Sequence, residues 1–255
     1  MRIRIMGCSG GIGAGTRTSA MLIDDDVLLD AGTGVGDLQL DELARIRHVF
    51  LTHSHLDHIA GLPLFLDSVF DSRDGEQITV YGRRETLDAV QAHLFNWVIW
   101  PDFSVLPTPE DPVLRYHVCN PGDMVTIGER EFTAVDVAHS VPAQGYTIND
   151  AGKGFAVSGD TGTNRTLWPI LNSLPELRAL VIEVSFPNAQ ENLAKESGHY
   201  TPITMARDIA QLRHAPDIWL TAMKPGEEEV ILHQVKEALP QRRVEMLSRG
   251  AVLDI

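Results

Sequence analysis

Cysteine is almost missing from this chain: Cys8 and Cys119 are the only two in 255 residues, and they form no C-x-x-C pair. That excludes a disulfide framework, a thiolate zinc knuckle and a dithiol redox centre, and leaves two thiols expected to be unpaired. Basic charge is also in deficit. Lys and Arg number 21 against 35 Asp and Glu, a formal net charge of −14, and such a surface repels a phosphate backbone. Extended nucleic acid is therefore an unexpected partner. No apolar run approaches the ~18 residues that a membrane helix needs, so no membrane role is expected. Internal repeats, low-complexity tracts and Ser/Gly/Pro-rich linkers are lacking too, which favours one domain over residues 1–255. The first residues, Met1-Arg-Ile-Arg-Ile-Met6, read as a strand rather than a targeting segment, and the expected location is the cytoplasm.

What the chain has is short β-rich runs. Ile3–Met6, Ala20–Ile23, Val27–Leu29 and His48–Leu51 read as a meander separated by Gly-rich or acidic turns. Further strands are predicted at Ile78–Tyr81, Val113–Val118, Phe132–Val137 and Phe155–Ser158, with helices near Arg83–Phe95 and Asn164–Leu171. From Ala179–Val184 onward helix and strand alternate. Thr201 is placed as an N-cap with Pro202 at the first helical position, and Asp217–Leu220, Glu227–Leu239 and Val244–Leu247 continue the pattern. Strands clustered in both halves suit an α/β sandwich, two sheets packed together with helices on their outer faces.

The chemistry is concentrated after the strand His48–Leu51, in Thr52-His53-Ser54-His55-Leu56-Asp57-His58. His53 and His55, two apart in extended backbone, project to one side and can hold one metal, while Asp57 and His58 can reach a second. Imidazole and carboxylate donors without thiolate suit Zn²⁺, and also Mn²⁺ or Fe, so two divalent ions are expected with zinc first. Further ligands should sit at strand ends, where the backbone is rigid. His139 follows Phe132–Val137, and Asp160 follows Phe155–Ser158 between Gly159 and Gly162, where a carboxylate can bridge two cations. Gly7–Gly15 fails as a phosphate cradle: it carries neither a G-x-G-x-x-G frame nor a Gly-Lys-Ser/Thr ending, and reads as a turn or a substrate-facing loop.

Together with Gly7–Gly11, Leu29–Gly34, His93–Phe103, Ser158–Gly162, Glu183–Asn188 and Ser197–Pro202, these residues resemble the metallo-β-lactamase fold superfamily, and within it the class II cyclic-nucleotide phosphodiesterases. The resemblance implies a single-domain, four-layer αββα sandwich with a dinuclear site at one edge. It gives His53, His55 and His139 to the first metal and Asp57 and His58 to the second, with Asp160 bridging and Asp30 orienting a ligand from behind. His199, positioned by Glu183, would protonate the leaving group, so that Asp57, His199 and Glu183 form the catalytic set. The reaction implied is attack of a metal-bound hydroxide on a 3′,5′-cyclic nucleotide (cAMP or cGMP), releasing a 5′-nucleotide. The partner is then a small anionic nucleotide. Trp97 and Trp100 in the aromatic segment, and Asn188, are candidate substrate contacts, although an aromatic cluster of this kind more often forms core or a subunit interface, a homodimer being the default soluble oligomer.

One position departs from the pattern. Where the family's Thr-His-x-Lys-Pro stretch supplies the last ligand of the second metal, this chain has Thr221-Ala222-Met223-Lys224-Pro225. A methyl group cannot coordinate a cation, so weaker binding at the second site is expected, and His233, eleven residues on, is a poor substitute. Three other readings share the motif. A tRNA 3′-processing nuclease of this superfamily would carry an RNA-binding arm between the positions of His139 and Asp160, here only 21 apart. A carbonyl hydrolase of the same fold would act on β-lactams or thioesters. A catalytically weakened member would bind nucleotide without turning it over, as the Ala222 substitution allows.

Overall fold

The computed structural model describes residues 1–72 and 75–255. Fourteen strands form two seven-stranded sheets. The first contains β1 (Arg2–Gly7), β2 (Ala20–Ile23), β3 (Val27–Leu29), β4 (His48–Phe50), β5 (Ile78–Gly82) and β6 (Leu114–Val118), with the last strand of the chain, β14 (Val252–Asp254), on its edge in the order β14-β1-β2-β3-β4-β5-β6. The second runs β13-β12-β11-β10-β9-β8-β7, formed from β7 (Met124–Ile127), β8 (Arg130–Val137), β9 (Ala143–Asp150), β10 (Lys153–Val157), β11 (Leu177–Glu183), β12 (Asp217–Thr221) and β13 (Val244–Met246).

Strand periodicity builds the layers. Ile3, Ile5, Met21, Ile23, Val27 and Leu29 face the second sheet and meet Phe132, Tyr146, Ile148, Phe155 and Val181. Their neighbours Ala20, Leu22 and Leu28 point the other way, toward α1 (Leu40–Leu43), α2 (Leu56–Ile59), α3 (Leu62–Ser68) and α4 (Arg84–His93). The outer face of the second sheet is covered by α5 (Leu167–Ser173), α7 (Pro202–Ile209) and α8 (Glu228–Ala238), through Leu167, Trp168, Met205, Ile209, Ile231 and Val235. Helix α6 (Glu191–Ser197) lies between β11 and α7 in sequence. The expected αββα sandwich is the observed one. Among the described residues no helix is long and apolar enough to cross a membrane, and Cys8 and Cys119 are free thiols.

Three strands escape the sequence pattern. Ala143–Asp150 carries Gln144, Gly145 and Thr147 where an apolar alternation is expected, yet it is buried because the Tyr146 hydroxyl takes Gln144 as a partner and donates to Leu51 O at 2.9 Å. Met124–Ile127 and Val252–Asp254 are short strands, and each lies at one end of its sheet. The opening meander also needs correction. β1, β2 and β3 pair antiparallel, but β4 joins β3 in parallel, so the intervening residues cross over through a 3₁₀ turn and α1.

The topology decides where the chemistry falls. β3, β4, β5 and β6 are mutually parallel, and so are β10, β11 and β12, while β8 runs with β10 because β9 is antiparallel to both. The carboxyl ends of β3, β4, β8, β10, β11 and β12 deliver Asp30, His53, His139, Asp160, Glu183 and Ala222. Phe50 locks the centre behind them: fully buried, it stacks on Tyr81 at 4.4 Å and Phe132 at 4.5 Å and meets the edge of Tyr146 at 5.4 Å. Phe50→Ala is expected to cost about 3–5 kcal/mol of stability, read as a lower urea midpoint at an unchanged slope.

Candidate active site

His53 carries the H-x-H-x-D-H segment into the interior with no exposed surface. Its Nδ1 lies 3.0 Å from Thr52 Oγ1, whose own proton goes to Asp30 Oδ1 or Oδ2, each at 3.0 Å. Nδ1 is thereby the protonated nitrogen, and Nε2 keeps its lone pair. That Nε2 is buried without any hydrogen-bond partner. Across the site, His139 donates from Nδ1 to Gly198 O at 2.8 Å, which again leaves an Nε2 lone pair, directed at His55 Nδ1 3.1 Å away. Nitrogen donors from His53, His55 and His139 lie within 4.8 Å of one another. Burial holds all three imidazoles below their ordinary pKa although Asp160 pulls each upward, and it does so most strongly at His53, where the neighbouring His58 adds to it. They converge as neutral ligands, which is the state a cation requires.

A second set shares His53 and adds His58 and Asp160. His58 Nδ1 meets Asp30 Oδ2 at 2.6 Å, and its Nε2 lies 3.5 Å from Asp160 Oδ1. Burial opposes a charge on His58, but Asp30 and Asp160 outweigh it and raise its pKa well above the usual imidazole value. Asp160 faces burial as well, yet His58 and His53 hold its carboxyl well below the ordinary range. The backbone at Asp30 is left-handed (φ 55°), a conformation that Asp tolerates better than most side chains, and its carboxylate also accepts from Thr52 N at 2.8 Å. Asp57 stands at the rim, a third exposed, with Oδ2 3.9 Å from His58 Nε2.

A third set joins His139 and Asp160 to His199. Its Nδ1 is 2.8 Å from Glu183 Oε1, and Glu183, with no exposed surface, also accepts from Thr161 N at 3.1 Å and Ser185 N at 2.9 Å. Burial works against a charge on His199, but the bond to Glu183 outweighs it and raises its pKa. The short segment Gly198–His199 must cross close behind His139. A Cβ on Gly198, which has φ 75°, would lie 2.8 Å from Ser140 N and 3.0 Å from His139 Cα, so only glycine fits. His139 and His199 line a cavity of about 550 Å³ together with Ser140, Thr163, Thr204 and Arg207.

The sequence reading thus finds His53, His55, His58, His139, Asp160, His199, Glu183 and Asp30 brought together. It misses Thr52, which connects Asp30, His53 and His58, and Ser185, whose hydroxyl lies 3.1 Å from His199 Nδ1 and 2.9 Å from Ala222 O. Both lie inside the motif segments, but spacing assigns them no role, because each acts through partners distant in sequence. The candidate substrate contacts have surroundings of their own. Asn188 Oδ1 accepts from Ile203 N at 2.9 Å at the start of α7, Trp100 packs against the outer core of the first sheet, and Trp97 is 63% exposed at φ 64°. Ala222 brings only a methyl group to the end of β12, its N donating to Cys8 O at 2.9 Å, and His233 is exposed on α8 against Glu237.

The donor chemistry fits divalent metal: an unpartnered buried imidazole nitrogen on His53, the ring nitrogens of His55 and His139 3.1 Å apart beside it, and a carboxylate between two histidine groups. A family model described as the beta-lactamase superfamily domain matches residues 26–221. Among curated relatives, a probable 3′,5′-cyclic-nucleotide phosphodiesterase of Yersinia pestis is 26% identical over 81% of this chain and 71% of its own length. The 3′,5′-cyclic-nucleotide phosphodiesterase 1 of Saccharomyces cerevisiae is 39% identical over 66% of this chain, which spans about half (51%) of that protein. A ribonuclease Z of Thermosynechococcus vestitus is 28% identical over 72% of this chain and 46% of its own. In three dimensions the crystal structure of unliganded yeast PDE1 superposes with a TM-score of 0.84 at 19% identity, covering 100% of this chain and 99% of that one.

Asp30→Ala removes the acceptor that orients His58 and Thr52. It is expected to weaken zinc affinity about 10–100-fold, measured by competition with a chelator of known affinity.

Proposed function

The chain belongs to the beta-lactamase superfamily, and within it we propose a metal-dependent phosphodiesterase that hydrolyses 3′,5′-cyclic nucleotides to 5′-nucleotides. The observation that carries this reading is the Glu183–His199 pair, bonded at 2.8 Å, on the wall of a cavity that also reaches His139. A volume of about 550 Å³ suits a mononucleotide. In this reading His53, His55 and His139 would hold one divalent ion, His58 and Asp57 would hold a second, and Asp160 would serve both. When bound, such a pair supplies Lewis acidity, lowering the pKa of water toward ~7 and neutralising phosphoryl charge.

The protein's own part is positional and protonic. Asp30 and Thr52 fix the rings of His53 and His58 from behind, and Gly198 O fixes His139. Glu183 accepts from Nδ1 of His199, which leaves Nε2 to present the proton that the departing ribose 3′-oxygen needs when its bond to phosphorus breaks. Ser185 connects that histidine to the Ala222 carbonyl, so the proton donor and the metal-poor side of the site are held together.

The relatives named ribonuclease Z support a second reading, cleavage of RNA at a 3′ end. Two observations weigh against it here. The interval from His139 to Asp160 is taken up by the β9–β10 hairpin, and the −14 charge opposes a long polyanion. The names of the cyclic-nucleotide relatives support the smaller substrate: the Yersinia pestis protein matches 81% of this chain against 72% for the ribonuclease Z, and the yeast protein is 39% identical against 28%.

The test is formation of 5′-AMP from 3′,5′-cyclic AMP in buffered Zn²⁺ or Mn²⁺, followed chromatographically. Native turnover is expected, with His199→Ala about 10²–10⁴-fold slower and metal content unchanged. Turnover by Ala222→His alone would instead identify a nucleotide-binding protein with a lapsed site, and no product from either would overturn the reading. Ala222→His is also expected to raise the zinc retained after dialysis.

A further inference from the structure

Lys224 lies two residues beyond Ala222, in the turn that leaves β12, and its side chain is half-buried. Its ammonium donates to Gly10 O at 3.0 Å, which occupies one of three donors. Among the described residues no carboxylate pairs with it, in a chain that has 35 acidic side chains to 21 basic ones. A half-buried ammonium that lacks a counter-ion amid such an excess of carboxylates is an uncompensated charge.

Its surroundings connect it to the site through one side chain. Nζ stands 5.8 Å from the centre of the buried Phe186 ring, and the same ring meets His199 edge-on at 5.6 Å. The ammonium and the proton-donating imidazole therefore flank one apolar side chain. The backbone there is fixed on both sides: Lys224 N donates to Ser185 O at 3.2 Å, and Gly10 N donates to Met223 O at 2.9 Å. Gly10 is required for this approach, since a Cβ would lie 2.2 Å from Ala222 O. Ser185 itself contacts Glu183 and His199, so the segment that supports the proton donor is bonded directly to the one that carries the lysine.

Resting on the phosphodiesterase reading, we propose that Lys224 binds the phosphoryl group of the substrate, its two free N–H donors meeting an ionised non-bridging oxygen. Ala222 removes a ligand from the second metal and with it part of the positive charge available there. Lys224 supplies a fixed positive charge on the same stretch, applied to the anion directly rather than through a metal. The alternative role for this side chain is purely structural, a clip that holds the Gly-rich loop at Gly10.

The experiment is calorimetric titration of inorganic phosphate into the zinc-loaded full chain. Lys224→Met is expected to raise the phosphate Kd about tenfold, and Lys224→Arg to stay within about threefold of native, because a hydrogen bond to a charged group is at stake. Zinc content and melting temperature should be unchanged in both. Equal phosphate affinity in native and Lys224→Met, or no phosphate binding by the native chain, would overturn the proposal. So would a loss in Lys224→Met accompanied by new proteolytic cleavage within residues 9–15, since that would identify the clip. Lys224-dependent phosphate binding without cyclic AMP turnover would confirm the anion site while rejecting the cyclic-nucleotide reading.

Discussion

A buried imidazole nitrogen with no partner, on His53, facing the ring nitrogens of His55 and His139, sets the constraint that the rest of this molecule accommodates. His139 Nε2 and His55 Nδ1 stand 3.1 Å apart, and His53 Nε2 has no partner. An unmatched buried polar atom ordinarily costs about 1–3 kcal/mol, and native interiors hold few of them. Here the mismatch is imposed from outside the cluster: Thr52 and Gly198 each take the Nδ1 proton of a histidine and so force the other nitrogen inward as an acceptor. A divalent cation satisfies all of these atoms at once. The same logic places Asp160, an anion with almost no exposed surface, where His53, His58 and His199 surround it.

The two sheets make this convergence affordable in conformational terms. Parallel strands end on one rim, so His53, His139 and Asp160 each leave a rigid strand and reach the centre within two or three residues. Packing of Phe50 with Tyr81, Phe132 and Tyr146 between the sheets fixes the distance between the β4 end, which carries His53, and the β8 and β10 ends, which carry His139 and Asp160. Left-handed backbone at Asp30, Gly159, Gly198 and Ala222 turns the chain beside the cluster, and at Asp30 and Ala222 it does so without glycine.

Much of this was legible in the sequence because the decisive information is local. Two histidines spaced by one residue share a side of an extended strand end, and His139 and Asp160 stand just past runs whose alternation identifies strands. The sandwich followed from the same alternation. Thr52, Ser185 and Gly198 carried no such signal. Thr52 matters through Asp30, 22 residues away, and Ser185 through the carbonyl of Ala222, 37 residues away, so their roles exist only once the sheets are assembled. β9 was missed for a related reason: its polar Gln144 reads as surface, and only the Tyr146 hydroxyl, bonded to Leu51 across the sandwich, explains its burial. The gap at Ala222 was readable as a departure, whereas the unpaired charge of Lys224 beside Phe186 and His199 required the folded chain.

The central claim is that the cluster is built around a cation, and anomalous X-ray scattering from crystals grown with zinc tests it most directly. Data collected on both sides of the zinc edge should give a difference peak enclosed by His53 Nε2, His55 Nδ1 and His139 Nε2, with a weaker one beside His58 and Asp160. Zinc found only at surface carboxylates, with the three imidazoles still facing one another around empty density, would contradict the account.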